Sequence, residues 1–120
     1  MSKENILVPK QLTLHKKSRT LEVEFENGER FILPCEYLRI FSPSAEVRGH
    51  GIGNEKWVTG KESVNILSIE PVGNYAVKLI FSDGHRTGIY SWTTLYTLGV
   101  EQQKNWQMYR EKVAKEKGEK

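Results

Sequence analysis

The chain has 120 residues, of which 38% are hydrophobic and 28% charged, and its formal net charge is +3. These values are typical of one soluble globular domain with a single modest core, and they argue against two domains. Eight of the 33 charged residues lie in the C-terminal stretch YREKVAKEKGEK, and elsewhere the lysines are scattered between acids. The composition therefore indicates neither a general nucleic-acid surface nor a membrane surface.

The termini and the cysteine content indicate a compartment. The N-terminal stretch MSKENILVPK lacks the apolar run of a signal peptide, and no stretch approaches the ~18 apolar residues of a membrane span. The single cysteine, Cys35, suits a reducing environment and has no partner in the chain for a disulfide. We therefore predict a cytoplasmic protein.

The first part of the chain alternates apolar and polar residues, which is the pattern of half-buried antiparallel strands. The predicted strands are 11–16, 20–25 and 30–33. ENGE supplies a hairpin turn between the last two. Pro34 suits a first helical turn, so CEYLRIF at 35–41 is predicted to be a short helix. The side chains that we expect in the core are Leu21, Val23, Phe25, Tyr37, Leu38 and Phe41.

The same order of elements recurs in the second part. The predicted strands are 65–73, 75–81 and 87–90. Ser91 is a good N-cap for a helix over WTTLYTLG, which Gly99 is expected to close. A last helix at about 102–117 carries Trp106, Tyr109 and Val113 at i, i+3 and i+7, so this stripe should dock on the core.

The two parts also match residue by residue. The runs 20–38 and 75–95 resemble each other, and equivalent residues around their turns lie 56 positions apart, which pairs Phe25 with Phe81 and Gly28 with Gly84. The predicted fold class is α+β, mainly antiparallel β, with a duplicated hairpin-plus-short-helix unit and a C-terminal helix packed on the sheet. We expect one domain at 8–116, a disordered N-terminus at 1–7 and a frayed tail at 117–120.

Two features break the repeat. Residues 42–62 form a stretch of about 21 residues without periodicity, and loops longer than about 12 to 15 residues are usually functional or disordered. This stretch contains Arg48, His50 and Trp57. His85 follows the second turn, whereas Glu29 follows the first, so the turn itself does not require an imidazole. The histidine is therefore a candidate for a separate role, and the alternative is an exposed side chain beside a turn.

Three runs of the sequence resemble a known family: VPKQLTLHKKSRTLEVEFENGERF, YLRIFSPSAEVRGHG and IEPVGNYAVKLIFSDGHRTGIYSWTTLYTLG. They are similar to the small bacterial domain family named after the N-terminal domain of gamma-butyrobetaine hydroxylase, over roughly residues 8–110. The resemblance implies an antiparallel β domain with short helices. Nothing in the chain resembles the dioxygenase barrel of the hydroxylase, so that activity is not carried over. In some larger relatives the domain is attached to an iron–sulfur carrier protein, which implies a link to metallocofactor assembly by association.

The resemblance also bears on metal binding. The hydroxylase domain holds a structural zinc through three cysteines and one histidine. The histidine corresponds to His85, but the cysteine positions fall on Ser42, Ser44 and about Val47. A closed zinc site needs about four nitrogen or thiolate donors. We therefore predict no structural zinc and no other cofactor.

The sequence offers little for catalysis. It has no Walker-type phosphate loop, no dinucleotide fingerprint and no HExxH pair. Cys35 stands before a short helix, where a cysteine is expected to be a small buried hydrophobe rather than a nucleophile. We do not expect an enzyme.

Two hypotheses for function remain. In the first, the chain is a non-catalytic binding or accessory module that presents the 42–62 loop to a protein partner, for which an iron–sulfur carrier is a candidate. In the second, His50 and His85 build a metal-binding or small-molecule site, and an enzymatic site is included in this hypothesis; it requires the two imidazoles within about 5 Å. Neither hypothesis involves a specific nucleic acid or a membrane. The candidate residues are Arg39, Ser42, Ser44, Glu46, Arg48, His50, Asp83 and His85.

Two of these candidates carry specific expectations. Arg39 either holds an anion through its guanidinium group or pairs with Glu36 or Glu46. His85 is predicted to bond to the segment from 42 to 50, through a serine hydroxyl, a backbone group or Glu46.

Overall fold

Each half of the described chain folds as a three-stranded antiparallel sheet followed by a short helix. The computed structural model describes residues 8–43 and 59–116, with the backbone alone for residues 115 and 116. The elements in chain order are β1 (Pro9–His15), β2 (Thr20–Phe25), β3 (Arg30–Pro34), α1 (Cys35–Ile40), β4 (Ile66–Val72), β5 (Ala76–Phe81), β6 (Ile89–Ser91), α2 (Trp92–Val100) and α3 (Gln102–Glu116). The predicted fold class and duplication are confirmed. The expected tails 1–7 and 117–120 lie outside the described residues.

The first unit consists of β1, β2, β3 and α1. Its strand order is β1-β2-β3, and β2 lies antiparallel to both neighbours. Leu21, Val23 and Phe25 share one face of β2 and are completely buried, as predicted. Glu22 lies on the opposite face, where its carboxylate contacts His15 and Arg30. The alternation in the sequence therefore records one buried and one solvated face of this sheet.

The second unit, β4, β5, β6 and α2, repeats this arrangement with one difference. Thr20 pairs with Pro34 in the first unit, so a spacing of 56 would pair Ala76 with Tyr90, but Ala76 pairs with Ser91. One additional residue therefore lies between the second turn and β6. It makes β6 only three residues long and leaves residues 85–88 outside the regular strand.

The two short helices begin where the sequence predicts. Pro34 is the N-cap of α1, one position before the first helical turn, where its missing N–H costs nothing. Ser91 caps α2, because its hydroxyl accepts a hydrogen bond from the amide of Thr94.

The end of α2 differs from the prediction. The helix continues through Gly99 to Val100, and Glu101 is its C-cap residue. Gly99 is buried, and a Cβ atom there would lie less than 3.0 Å from three atoms of the Phe31 ring. This glycine therefore lets α2 approach β3 closely instead of closing the helix.

One core joins both units. Four aromatic rings, those of Phe25, Tyr37, Phe81 and Tyr90, are among its largest fully buried side chains. Both buried tyrosine hydroxyls donate to carbonyl oxygens of a helix in the other unit. Tyr37 donates to Leu98 at 2.7 Å, and Tyr90 donates to Leu38 at 2.6 Å. These hydrogen bonds satisfy both hydroxyl groups, so burial of the two tyrosines leaves neither hydroxyl without a partner.

The C-terminal helix docks on this core as predicted. Tyr109 is 8% exposed, and the rings of Trp106 and Tyr37 have centroids 5.5 Å apart. The side-chain amide of Asn105 donates to the Tyr37 hydroxyl at 3.1 Å. The C-terminal helix therefore contacts the core through Tyr37 of α1. None of the helices in the described ranges is long and apolar enough to cross a membrane.

Candidate functional site

The two described ends of the chain around residues 44–58 meet at the second hairpin turn. Ser42 follows Phe41, the C-cap residue of α1, and Lys61 lies two positions after Thr59, the first residue described beyond the segment. Both contact the turn that joins β5 to β6, through His85 and Asp83 respectively. With Arg39 these residues form a group that we call the anchor cluster: Arg39, Ser42, Lys61, Asp83 and His85.

His85 holds the first of the two ends. Its Nε2 lies 3.0 Å from the hydroxyl oxygen of Ser42, which is completely buried. Gly88 makes room for this contact, because a Cβ atom there would overlap the same hydroxyl oxygen. The predicted contact between His85 and a serine hydroxyl is therefore confirmed.

Asp83 holds the second end and α1 together. Its Oδ2 accepts from Lys61 Nζ at 2.7 Å and from Arg39 Nε at 2.8 Å. Its Oδ1 accepts from the backbone amide of His85 at 3.1 Å. Only 19% of the Asp83 side chain is exposed, and 13% of that of Arg39. Charged donors make strong hydrogen bonds to a partly buried carboxylate. Asp83 therefore joins Lys61 firmly to Arg39 of α1.

The electrostatics of Asp83 follow from these contacts. Burial alone would raise the pKa of its carboxyl group. The hydrogen bonds from Lys61, the His85 amide and Arg39 outweigh burial together and hold the pKa well below its ordinary value of 3.8. Arg39 thus pairs with Asp83 and not with Glu36, while its other expected partner, Glu46, lies outside the described residues.

The anchor cluster has the composition of a catalytic site but the accessibility of a structural one. A serine hydroxyl beside an imidazole is the arrangement of a nucleophile and its base. Here the hydroxyl has no exposed surface, so a substrate in solution does not reach it. Within residues 8–43 and 59–116 no three or more His, Cys, Asp or Glu side chains are grouped as a metal site. The expected absence of zinc stays a prediction.

Four of the eight predicted site residues come together in the anchor cluster: Arg39, Ser42, Asp83 and His85. The other four, Ser44, Glu46, Arg48 and His50, lie outside the described residues. Because His50 is one of these four, the structure does not describe its distance from His85, on which the metal-site hypothesis depends. The predicted role of these residues in binding stays a prediction.

Two residues of this region carry no signal in the sequence. Lys61 is one of many charged residues in the chain, yet its ammonium group is one of the donors to the Asp83 carboxylate. The side chain of Asn65 donates to the carbonyl oxygen of Lys16 in the first unit, and its backbone amide donates to Ser82 beside the second turn. Their partners are distant in sequence, so no local pattern identifies them.

Cys35 is the buried hydrophobe that the sequence predicts. It is completely buried, burial raises the pKa of its thiol, and its sulfur makes a weak contact at 3.8 Å with the side-chain oxygen of Asn65. A thiol of this kind is mainly protonated and is a poor nucleophile.

The first hairpin turn has the same internal bonds as the second. The glycine amide donates to the carbonyl of Phe25 in one turn and of Phe81 in the other. The side-chain oxygen of Asn27 accepts from the Glu29 amide, as that of Asp83 does from the His85 amide. The turns therefore share one backbone design, and their side chains differ in what they contact.

Each turn contacts the helix of the other unit at the same helical position. Arg39, the fifth residue of α1, donates to Asp83 in the second turn. Tyr96, the fifth residue of α2, donates to the carboxylate of Glu29 in the first turn. Only the second of these turns also holds Ser42 and Lys61. The extra contacts therefore distinguish the anchor cluster from its counterpart.

An open groove lies beside the chain at Thr59 and Gly60, just before Lys61 of the anchor cluster. It has a volume of about 520 Å³ and lies between α1, α3 and the chain at Thr59–Glu62. Glu36 and Glu62 line it together with Arg110. Burial and the neighbouring charge of Glu62 both raise the pKa of Glu36. The groove therefore places an acidic pair beside the end of the 44–58 segment.

The chain is similar to proteins of known structure. One NMR structure is 50% identical, covers 98% of this chain and 87% of its own, and superposes with a TM-score of 0.82. A second NMR structure is 40% identical over 92% of this chain and 86% of its own, with a TM-score of 0.77. A crystal structure of a protein of unknown function from Acidithiobacillus ferrooxidans, of the DUF971 family, is 40% identical over 76% of this chain and 91% of its own, with a TM-score of 0.64.

The family follows from the sequence match. No curated protein matches the chain. The family model described as gamma-butyrobetaine hydroxylase-like, N-terminal, matches residues 12–96, which is more than half of the chain, and the resemblance seen in the sequence is thereby confirmed. The chain belongs to the gamma-butyrobetaine hydroxylase-like N-terminal domain family.

Proposed function

We propose that the chain is a non-catalytic binding module that presents residues 44–58 to a protein partner. The observation that supports this most strongly is the attachment of both described ends of the segment to one hairpin turn. Ser42 is held by His85 at 3.0 Å, and Lys61 is held by Asp83 at 2.7 Å. Fixed attachment points lower the conformational entropy that is lost when a partner binds the segment. A smaller entropy loss favours affinity.

The chemistry of the anchor cluster supports a role without catalysis. Both carboxylate oxygens of Asp83 already accept hydrogen bonds from the protein. The Ser42 hydroxyl is buried against His85. In the described part of the chain these groups serve each other, so we assign them to positioning.

The groove beside Thr59 supports a partner that covers more than the segment itself. A protein that contacts residues 44–58 up to Thr59 comes to the edge of this groove, where Glu36 and Glu62 outnumber Arg110 and favour a basic side chain. The first candidate is an iron–sulfur carrier protein, because the family resemblance implies that some larger relatives have the domain attached to one.

The test is a quantitative capture experiment with three proteins. The wild type is compared with a variant in which residues 44–58 are replaced by a Gly/Ser segment of equal length, and with a Glu70→Ala control. Glu70 lies on β4, and 55% of its side chain is exposed. Each protein is incubated with native lysate and, separately, with a purified iron–sulfur carrier.

We expect the wild type and the Glu70→Ala variant to retain the same protein at equal yield, and the replaced variant to lose it while keeping its melting temperature. Equal capture by all three proteins would refute the role of the segment. Capture from lysate without binding to the carrier would retain the module and exclude the carrier as its partner.

A His85→Ala variant tests the attachment of the segment at Ser42. Removing the imidazole leaves the buried Ser42 hydroxyl without this partner, which should lower the free energy of unfolding by about 1 to 3 kcal/mol. Amide hydrogen exchange near Ser42 should accelerate, and partner binding should weaken without being abolished. An unchanged melting temperature and unchanged hydrogen exchange would show that His85 does not hold the chain at Ser42.

A further inference from the structure

The first hairpin turn contains the only Asn-Gly pair in the sequence, Asn27–Gly28. An asparagine before glycine is chemically labile, because glycine has no Cβ to hinder attack of its backbone nitrogen on the preceding side-chain amide. The other asparagines precede isoleucine, glutamate, tyrosine or tryptophan. Both turn residues are exposed, so water has access to them.

We propose that Asn27 is a site of spontaneous covalent modification whose rate is set by whether the first turn is closed. The backbone nitrogen of Gly28 attacks Cγ of Asn27 and loses its proton to water, a new N–Cγ bond forms, and the bond from Cγ to Nδ2 breaks to release ammonia. Water then opens the cyclic imide and leaves aspartate or isoaspartate at position 27. No other reactant is needed.

The closed turn opposes this reaction at each reacting group. The Gly28 amide donates to the carbonyl of Phe25 at 3.0 Å. The Asn27 side chain accepts from the Glu29 amide at 3.0 Å and donates to the Glu29 carboxylate at 2.9 Å. Cyclisation needs the attacking nitrogen about 3 to 3.5 Å from the carbon and correctly aligned. These bonds hold the side-chain amide over the amide of residue 29 and keep the nucleophilic nitrogen occupied.

Glu29 links this protection to the rest of the fold. The same carboxylate oxygen that accepts from Asn27 also accepts from the hydroxyl of Tyr96 on α2. The carboxylate that restrains Asn27 is therefore itself held in place by a contact between the two units. Reaction would replace the amide donor by a second carboxylate beside Glu29, which repels it, so a modified turn does not close in the same way.

The test follows modification of Asn27 by peptide mapping and mass spectrometry during incubation at mildly alkaline pH. The samples are the folded wild type, the wild type unfolded in urea, and the variants Glu29→Ala and Glu29→Gln. Glutamine keeps an acceptor oxygen for Asn27 and Tyr96, so it is the matched control. Tyr37→Phe, which loses the bond to Leu98, controls for general destabilisation.

We expect slow modification in the folded wild type, Glu29→Gln and Tyr37→Phe, and fast modification in urea. Glu29→Ala should react about tenfold faster than the folded wild type, since losing one or two hydrogen bonds shifts the opening equilibrium by about this factor. Asn105, which precedes tryptophan, should remain intact in every sample and serves as the internal reference.

Equal rates in the folded and urea-unfolded wild type would overturn the proposal. If Glu29→Ala is itself unfolded by its melting curve, the comparison of folded with unfolded wild type still decides it. Equal acceleration in Tyr37→Phe and Glu29→Ala would also overturn it, because protection would then reflect general stability and not the Glu29 contacts.

Discussion

At the scale of single residues, the position after the glycine of each turn shows how a repeat acquires a specific role. Glu29 contacts Tyr96 on α2, and His85 contacts Ser42 after α1. The backbone of both turns is the same, so the side chain is selected by the group that it meets. An imidazole suits Ser42, because its ring nitrogen can either donate a hydrogen bond to a hydroxyl or accept one from it.

Asp83 should make stability depend on pH in acid. Its folded-state pKa lies below its ordinary value of 3.8, so the stabilisation is complete above that value and is lost as the pH falls below it. Urea denaturation of the wild type and of Asp83→Asn between about pH 5 and pH 2 measures this. The difference in unfolding free energy between the two proteins should shrink as the pH falls.

The difference is the correct quantity because other carboxyl groups titrate in the same range. Hydrogen bonds to His15 and to Tyr96 also lower the pKa of Glu22 and of Glu29 respectively. Both proteins keep these groups. A constant difference across the range would show that Lys61 and Arg39 do not stabilise the ionised form of Asp83.

At the scale of elements, the sequence predicts every described strand and helix to within about two residues at each end. Alternation in β2 and the Ser91 cap are local signals, so local rules suffice for them. The end of α2 is different. A glycine after an apolar run usually closes a helix, but here Phe31, distant in sequence, packs against Gly99 and the helix continues.

A Gly99→Ala substitution tests this reading. Alanine favours the helix by about 1 kcal/mol over glycine, whereas forcing a methyl group into a packed contact costs about 1 to 3 kcal/mol. We expect a net loss of stability by chemical denaturation. The double variant Gly99→Ala, Phe31→Leu should lose less than the sum of the two single variants, since the smaller side chain leaves room.

A gain in stability for Gly99→Ala alone would contradict the close contact with Phe31. It would favour a glycine whose only effect is on helix propensity.

The anchor cluster could be predicted only in part. The comparison of His85 with Glu29 indicated that the histidine had a separate role, and the family resemblance placed its partner near Ser42. The sequence indicates both Arg39 and Asp83 as candidate site residues but does not predict that they pair. Residues that lie 44 positions apart, as these do, meet through packing of the two units, and no periodicity in the sequence encodes that.

At the scale of the whole molecule, the C-terminal helix completes a core that both units share. Tyr109 is almost buried, and Trp106 and Val113 pack partly against the core. Trp106 covers Tyr37, whose hydroxyl accepts from Asn105 and donates to Leu98. The helix therefore covers the junction of α1 and α2.

A chain that ends after Lys104 should largely unfold. It loses Trp106, Tyr109 and Val113, and burial of a large apolar side chain contributes roughly 1.5 to 3 kcal/mol. Total stabilities are about 5 to 15 kcal/mol. Loss of near-ultraviolet circular dichroism and of dispersed NMR signals would show the effect. A chain that ends after Lys115 is the control, and its melting temperature should change by a few degrees at most.

A cooperative transition for the shorter chain, close to that of the full chain, would contradict the docking of α3. A large shift in the control would place the boundary of the domain further toward the C-terminus.

The reciprocal contacts of the two turns have a consequence for how the fold is assembled. Arg39 of one unit meets the turn of the other, and Tyr96 meets the turn of the first. This is the pattern of a symmetric dimer, in which each subunit supplies both halves of a self-complementary surface. Two separate units would lose translational and rotational freedom to form it, at a cost of at least about 4 kcal/mol. Joined in one chain, the units form this interface at any protein concentration, however dilute.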